Sequence, residues 1–161
     1  MKSTKFIRVF SVFPGVGKTH FYNQNKENTR DSDSSTFDKS EFPQNYIAHI
    51  KELLEDETVE HILVSSHKVV RDALTKAGIN FALIKPHHSL KQEYLRRYRQ
   101  RNSPQAFIDL LDRMWDEWLY EINGEKGGYH TYTISGENIY LSDVFESWTK
   151  DPSKVTHYQG D

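Results

Sequence analysis

The chain contains no cysteine. Disulfides and thiolate metal sites are therefore excluded, and the absence fits a reducing compartment. No apolar run approaches the roughly 20 residues that a membrane-crossing helix requires. The N-terminal segment also lacks the long apolar core of a secretory leader, so a cytoplasmic location is expected and a membrane partner is not. Neither sign of charge dominates: 21 Lys and Arg face 23 Asp and Glu, for a net charge of −2. No global basic field argues for a nucleic-acid partner. Repeats and low-complexity stretches are absent too. What remains is a 161-residue chain with 13% aromatic residues, among them Trp115, Trp118 and Trp148. That size suits one domain around one core.

Short apolar runs alternate with helix-period segments. Phe6 to Phe13 reads as a first buried strand, and a polar segment at Asn28–Asp31 is placed as a second strand chiefly by its position. A helix is expected from Pro43, which suits a first helical position, with Tyr46, Ile47, Ile50, Leu53 and Leu54 on one side. Glu60 to Ser65 is a third strand. Val69 to Lys76 is a helix closed by Ala77-Gly78, and Ile79 to Ile84 is a fourth strand ended by Lys85-Pro86. Leu90 to Arg101 is a basic helical segment. Pro104 opens a further helix whose stripe of Phe107, Ile108, Leu111, Met114, Trp115, Trp118 and Leu119 reads as core. Tyr129 to Ile134 is a last strand, Leu141 to Trp148 a closing helix, and residues 149–161 a polar tail. Alternation of this kind implies an α/β fold with a parallel sheet and helices on both faces. Ligands of such sheets bind beyond the carboxyl ends of the strands.

Each strand end carries its own chemistry. The first runs into Phe13-Pro14-Gly15-Val16-Gly17-Lys18-Thr19-His20. A buried strand entering a glycine turn that ends in Gly-Lys-Thr is a phosphate cradle. Its backbone N–H groups wrap an anion, its lysine reaches the outer phosphates, and its threonine hydroxyl binds Mg²⁺. The usual pattern has glycine where this chain has Val12, so Pro14 and Gly15 must shape the turn. The second segment ends in Asp31-Ser32-Asp33. In extended chain the two carboxylates share a side, where one would hold Mg²⁺ and the other would meet the acceptor or take its proton. The third strand leads to His67, expected either at a substrate or as a satisfied helix-start residue, and to Arg71, expected to clamp an anionic acceptor. The fourth leads to Arg96, Arg97, Arg99 and Arg101. Four arginines in six residues with few local acids repel one another unless an anion lies among them, which reads as a mobile lid rather than a solvated basic face.

In this order the parts resemble the P-loop kinases, the family of nucleoside monophosphate, shikimate and gluconate kinases. The resemblance rests on Gly15-Val16-Gly17-Lys18-Thr19, Asp31-Ser32-Asp33 and the Arg96-to-Arg101 cluster, and it covers about residues 5 to 148. The acidic triplet looks like that of shikimate kinases. The segments Asp33-Ser34-Ser35, Leu63 to His67 and Arg96 to Arg101 look like those of small bacteriophage nucleotide kinases, which would place the chain in the host cytoplasm. The segment between Asp33 and His61 is short for a full monophosphate-binding domain. The family implies a three-layer fold with sheet order 2-3-1-4-5 in one domain over residues 1–148, a lid at about 88–104, and ATP with Mg²⁺. The expected reaction is transfer of the ATP γ-phosphoryl group to a small acceptor, most simply a (deoxy)nucleoside monophosphate, by a monomer or homodimer. Pro14 to His20 would hold ATP, Thr19 and Asp31 the metal. Asp31, Asp33, His67, Arg71, Arg96 and Arg99 would face substrate. Lys18, Asp33, Arg97 and Arg101 would act on the transferred group. Two alternatives use the same donor site: a kinase of a modified base or end in DNA, and a non-catalytic nucleotide-binding module.

Overall fold

A computed structural model of the chain describes residues 7–124 and 130–150. Five strands form one all-parallel sheet: β1 (Val9–Val12), β2 (Thr29–Asp31), β3 (His61–Ser65), β4 (Phe81–Pro86) and β5 (His130–Ile134), in the order β2-β3-β1-β4-β5. The central strand β1 pairs Val12 with Ser65 on one side and with Ile84 on the other. Every residue of β1 and β4 is buried, as expected of parallel strands covered on both faces. The expected order and the weak second strand are both present. β2 is polar because it is a three-residue edge strand, paired only with β3.

Six helices connect and cover the sheet: α1 (Lys18–Gln24), α2 (Gln44–Leu54), α3 (Lys68–Lys76), α4 (Lys91–Gln100), α5 (Gln105–Gly124) and α6 (Leu141–Lys150). Right-handed crossovers in this strand order place α1 on one face and α2 to α5 on the other. The contacts agree, pairing α1 with α6, α2 with α3, and α4 with α5. Alternation along β1 divides the core accordingly. Phe10 packs edge-on against Phe145 of α6, while Phe13 packs against Tyr94 of α4 and Trp115 of α5.

Several element ends differ from expectation. Pro43 caps α2 from outside instead of occupying its first turn, and it follows a cis peptide bond. Lys85 and Pro86 continue β4, and Pro86 still pairs in register with Ile134. α6 runs through Lys150, so the first two residues of the expected tail are helical. Tyr129 and the tail from residue 151 lie outside the described residues.

The basic segment differs most. A short 3-10 turn, His88–Leu90, leads into α4, whose Tyr94, Leu95 and Tyr98 are buried in the core. A lid is expected over about residues 88–104; within that stretch residues 91–100 form a helix with a buried apolar face. The arginines drew attention to charge, and the interleaved Tyr-Leu-Tyr face decided the packing.

α3 ends as the sequence indicates. Ala77 caps it, and Gly78 follows at φ 73°, where an added Cβ would touch nothing within 4 Å. Gly15 stands at φ 92°, but there a Cβ would lie 2.8 Å from Tyr98 Cε1 and 3.0 Å from Tyr94 Cδ2. Both rings are buried, and Tyr98 is pinned through its hydroxyl to the Pro14 carbonyl at 2.8 Å. Gly78→Ala is therefore expected to cost only left-handed strain, about 1 kcal/mol. Gly15→Ala adds steric displacement of a fixed ring and is expected to cost about 1–3 kcal/mol more. Denaturant unfolding of the two variants checks the order.

Candidate functional site

The turn after β1 is built from its carbonyls outward. Pro14 O accepts the Tyr98 hydroxyl at 2.8 Å. Gly15 O accepts Arg97 Nη1 at 2.8 Å, and Val16 O accepts the Leu141 amide at 2.9 Å. In a trans peptide the next residue's N–H points opposite to the carbonyl. Anchoring Pro14 O and Val16 O therefore turns the amides of Gly15 and Gly17 away from Tyr98 and Leu141. Val16 inserts its fully buried side chain into the core, and Gly17 stands at φ 116° as the cap of α1. A Cβ on Gly17 would lie 3.4 Å from the Leu141 amide nitrogen and from the Tyr140 ring. The turn is thus held from α4 and from the β5–α6 connection, with no glycine at position 12. Val12 sits in register with Ser65 and Ile84 as ordinary strand.

This turn borders an open crevice of about 1060 Å³. Among the sequence-predicted residues, Pro14, Gly15, Gly17, Lys18, Thr19, His20, Asp33, His67, Arg97 and Arg101 line it. Ten predicted residues, from the start of α1, the segments that follow β1, β2 and β3, and the C-terminal end of α4, thereby converge at the carboxyl end of the sheet. Lys18 Nζ lies 3.4 Å from Asp31 Oδ1. That oxygen is buried and accepts no hydrogen bond. Ser32, between the two aspartates, is locked inward. Its amide donates to Leu63 O, its carbonyl accepts the Tyr46 hydroxyl at 2.7 Å, and its Oγ lies 3.1 Å from His49 Nε2. Alternation then sets Asp31 and Asp33 on the other side, Asp33 on the crevice wall and Asp31 beside Lys18.

Among the described residues no group of three or more His, Asp or Glu could hold a metal ion. A Mg²⁺ ion carried on substrate phosphates needs only one or two protein oxygens. The Asp31 oxygen, which accepts no hydrogen bond, and the exposed Thr19 fit that lesser requirement. No protein-family model matches the chain, and the comparison with curated proteins finds no match. The site's chemistry therefore rests on its own geometry: a glycine turn whose Pro14 and Val16 carbonyls are anchored by Tyr98 and Leu141, one lysine, two carboxylates and a basic rim, which together suit a polyanion.

The basic residues are not equivalent. Arg97 is almost fully buried and stacks between the Tyr140 ring at 3.8 Å and the Tyr94 ring at 4.3 Å. Besides Gly15 O, its guanidinium donates to Ile139 O at 2.9 Å and to Glu93 Oε2 at 2.8 Å. Glu93 also binds Arg96 and accepts the Asn138 amide at 3.0 Å. The anion expected among the arginines is thus Glu93 itself. Its spacing, three residues before Arg96 and four before Arg97, was the available signal. Arg99 is exposed on the outer side of α4. Arg101 is exposed at the crevice rim, with Nε donating to Ser103 Oγ at 3.0 Å.

Arg71 is 1% exposed and lines a separate small recess. Its Nε donates to Ser66 O and its Nη2 to Glu121 Oε1, each at 2.8 Å. The phosphate clamp expected of Arg71 is met by a carboxylate of the chain instead. His67 borders both spaces, and its pKa is lowered, first by loss of solvent and then by the charges of Arg71 and Lys18. Tyr140, Gln100 and Phe107 also line the crevice, and sequence reading missed them because each arrives from a loop or the outer turn of a helix.

Burial pushes the Glu93 carboxyl upward, but the Asn138 amide, Arg97 and Arg96 outweigh it, so its pKa lies below the ordinary 4.5. A depressed carboxyl contributes stability that is complete above its ordinary pKa and is lost as pH falls through the folded value. Glu93→Gln is expected to flatten the loss of stability below about pH 4.5, read from denaturation midpoints across pH. Arg97→Ala strands a buried carboxylate and is expected to cost about 3–5 kcal/mol. Arg97→Lys is expected to recover little of this, because one ammonium cannot span three acceptors arranged for a planar fork.

Proposed function

We propose that this protein is an ATP-dependent phosphotransferase of the P-loop kind, passing the γ-phosphoryl group to a small acceptor, with a nucleoside monophosphate as the acceptor that best suits the crevice. The observation that supports the reading is the anchoring of the Pro14 and Val16 carbonyls by Tyr98 and Leu141, which turns the Gly15 and Gly17 amides away from those anchors and leaves them to meet an anion beside Lys18. A turn so held needs no reorganisation when charge develops next to it, which is the condition for electrostatic catalysis.

In this reading the amides of Gly15 and Gly17 with Lys18 hold the β and γ phosphates of ATP. Thr19 and Asp31 would hold Mg²⁺, which when bound neutralises phosphate charge. Before substrate arrives, Asp31 keeps Lys18 over the turn, and the lysine then exchanges this partner for phosphate. An anionic oxygen of the acceptor attacks the γ phosphorus. The bond from that phosphorus to the β–γ bridging oxygen breaks, and ADP leaves with the electron pair. A phosphate acceptor carries no proton to remove. For an alcohol acceptor, Asp33 on the crevice wall is the base in reach.

The arginine roles divide. Arg97 acts through the loop that it braces and is a positioning residue. Arg101 is exposed at the rim and supplies positive charge there, with Arg96 and Arg99 of α4 contributing long-range attraction.

Lys18→Ala is expected to lower turnover by on the order of 10²–10³. Its melting temperature should stay close to that of the parent, since Lys18 is partly exposed and its ion pair with Asp31, at 3.4 Å, is partly solvated. A coupled ADP-release assay over monophosphates, nucleosides, small alcohols and DNA measures both the acceptor and the effect. Undiminished turnover in that variant overturns the reading.

A further inference from the structure

The recess that holds Arg71 lies beside the main crevice and shares Phe13, Pro14, Ser66 and His67 with it. Its remaining walls include Trp118 and Glu121 of α5, neither of which the sequence marks as functional. Three properties restrict what can enter. Both cations that line it already have a carboxylate, Arg71 with Glu121 and Lys68 with Asp72, each at 2.8 Å, so the recess offers a phosphate little. Its volume is about 120 Å³. At roughly 30 Å³ per water molecule that is room for about four waters, a closer match to a single six-membered ring than to a fused bicyclic one. Its walls combine the half-buried Trp118 ring, set edge-on to His67 at 6.4 Å, with a carboxylate whose second oxygen, Oε2, is a remaining acceptor.

We infer that this recess is the acceptor's base subsite and that it selects a pyrimidine ring bearing an exocyclic amine, with Trp118 as its packing wall and Glu121 as the residue that reads the amine. The inference rests on the phosphotransferase reading for its placement, since a ring in the recess leaves the attached phosphate in the crevice next to the glycine turn. An amine donates to Glu121, whereas a carbonyl at the same ring position would set two acceptors against each other. An aromatic wall holds any base, so Trp118 supplies affinity and Glu121 supplies choice. Glu121 is 40% exposed, which leaves it reachable from the solvent side while Arg71 fixes its other oxygen.

The test uses the full chain with cytidine, uridine and guanosine monophosphates. Tryptophan fluorescence reads binding, and ADP release reads transfer. Cytidine monophosphate is expected to quench fluorescence and to be preferred over the other two by at least about tenfold in kcat/KM. Trp118→Phe is expected to remove the quenching. Glu121→Gln keeps an oxygen for Arg71 but presents an amide, and is expected to bring the cytidine-to-uridine ratio close to one or below while the KM for ATP is unchanged. Equal use of guanosine and cytidine monophosphates overturns the inference, and so does a ratio that Glu121→Gln leaves untouched. Calorimetry with Mg-ATP separates the two claims. Absence of Mg-ATP affinity defeats the phosphotransferase reading, whereas Mg-ATP binding without cytidine-dependent quenching defeats the subsite alone.

Discussion

Arg97 holds the turn after β1 in place. One guanidinium, out of solvent and sandwiched by two tyrosines, ties α4 to the Gly15 carbonyl and to the β5–α6 connection at Ile139. Glu93 neutralises it and, through the Asn138 amide, fixes the same connection again. A buried charge pair gives little net stability compared with apolar packing. What it supplies here is direction, because a planar fork with several donors can hold carbonyls from different segments at set angles. That grip sets the Gly15–Val16 peptide, whose amide donates to Phe13 O at 3.2 Å, while Tyr98 and Leu141 hold the Pro14 and Val16 carbonyls that orient the Gly15 and Gly17 amides.

The sheet makes the arrangement possible. Parallel order with β1 in the centre delivers the ends of β1, β2 and β3 to one rim. The rim residues keep their polar character because their neighbours are locked inward. Ser32 is fastened at its amide, carbonyl and hydroxyl, and Asp31 and Asp33 are thereby left on the open side. Arg71 shows the opposite outcome. A charge with no solvent around it requires a counter-charge, and α5 provides Glu121.

Much of the fold was legible in the sequence. The alternation of apolar runs with helix-period segments placed all five strands and five of the six helices within a few residues, and left α1 after the glycine turn unassigned. Those signals are local, set by side-chain period, by Pro and by Gly. The errors fell where two local signals competed. In residues 91–101 the arginines and the Tyr94–Leu95–Tyr98 face predict different environments, and burial of the apolar face prevailed. At Arg71 the residue type suggested an anion, correctly, but the anion is a side chain fifty positions away.

By itself the sequence determined which groups stand at the strand ends: the Gly-Val-Gly-Lys-Thr turn, the paired aspartates, His67 and the arginines. Strand polarity and turn chemistry are properties of neighbours along the chain. Only the tertiary structure decided how those groups are used. It selected which arginine braces and which remains at the rim, set Tyr140, Trp118 and Glu121 beside them, and aligned the loop carbonyls with their donors. Those outcomes depend on contacts spanning 42 to 84 positions, such as Arg97 with Ile139 and Tyr98 with Pro14. No local pattern encodes such pairings, because they are selected by packing two helix layers onto one sheet.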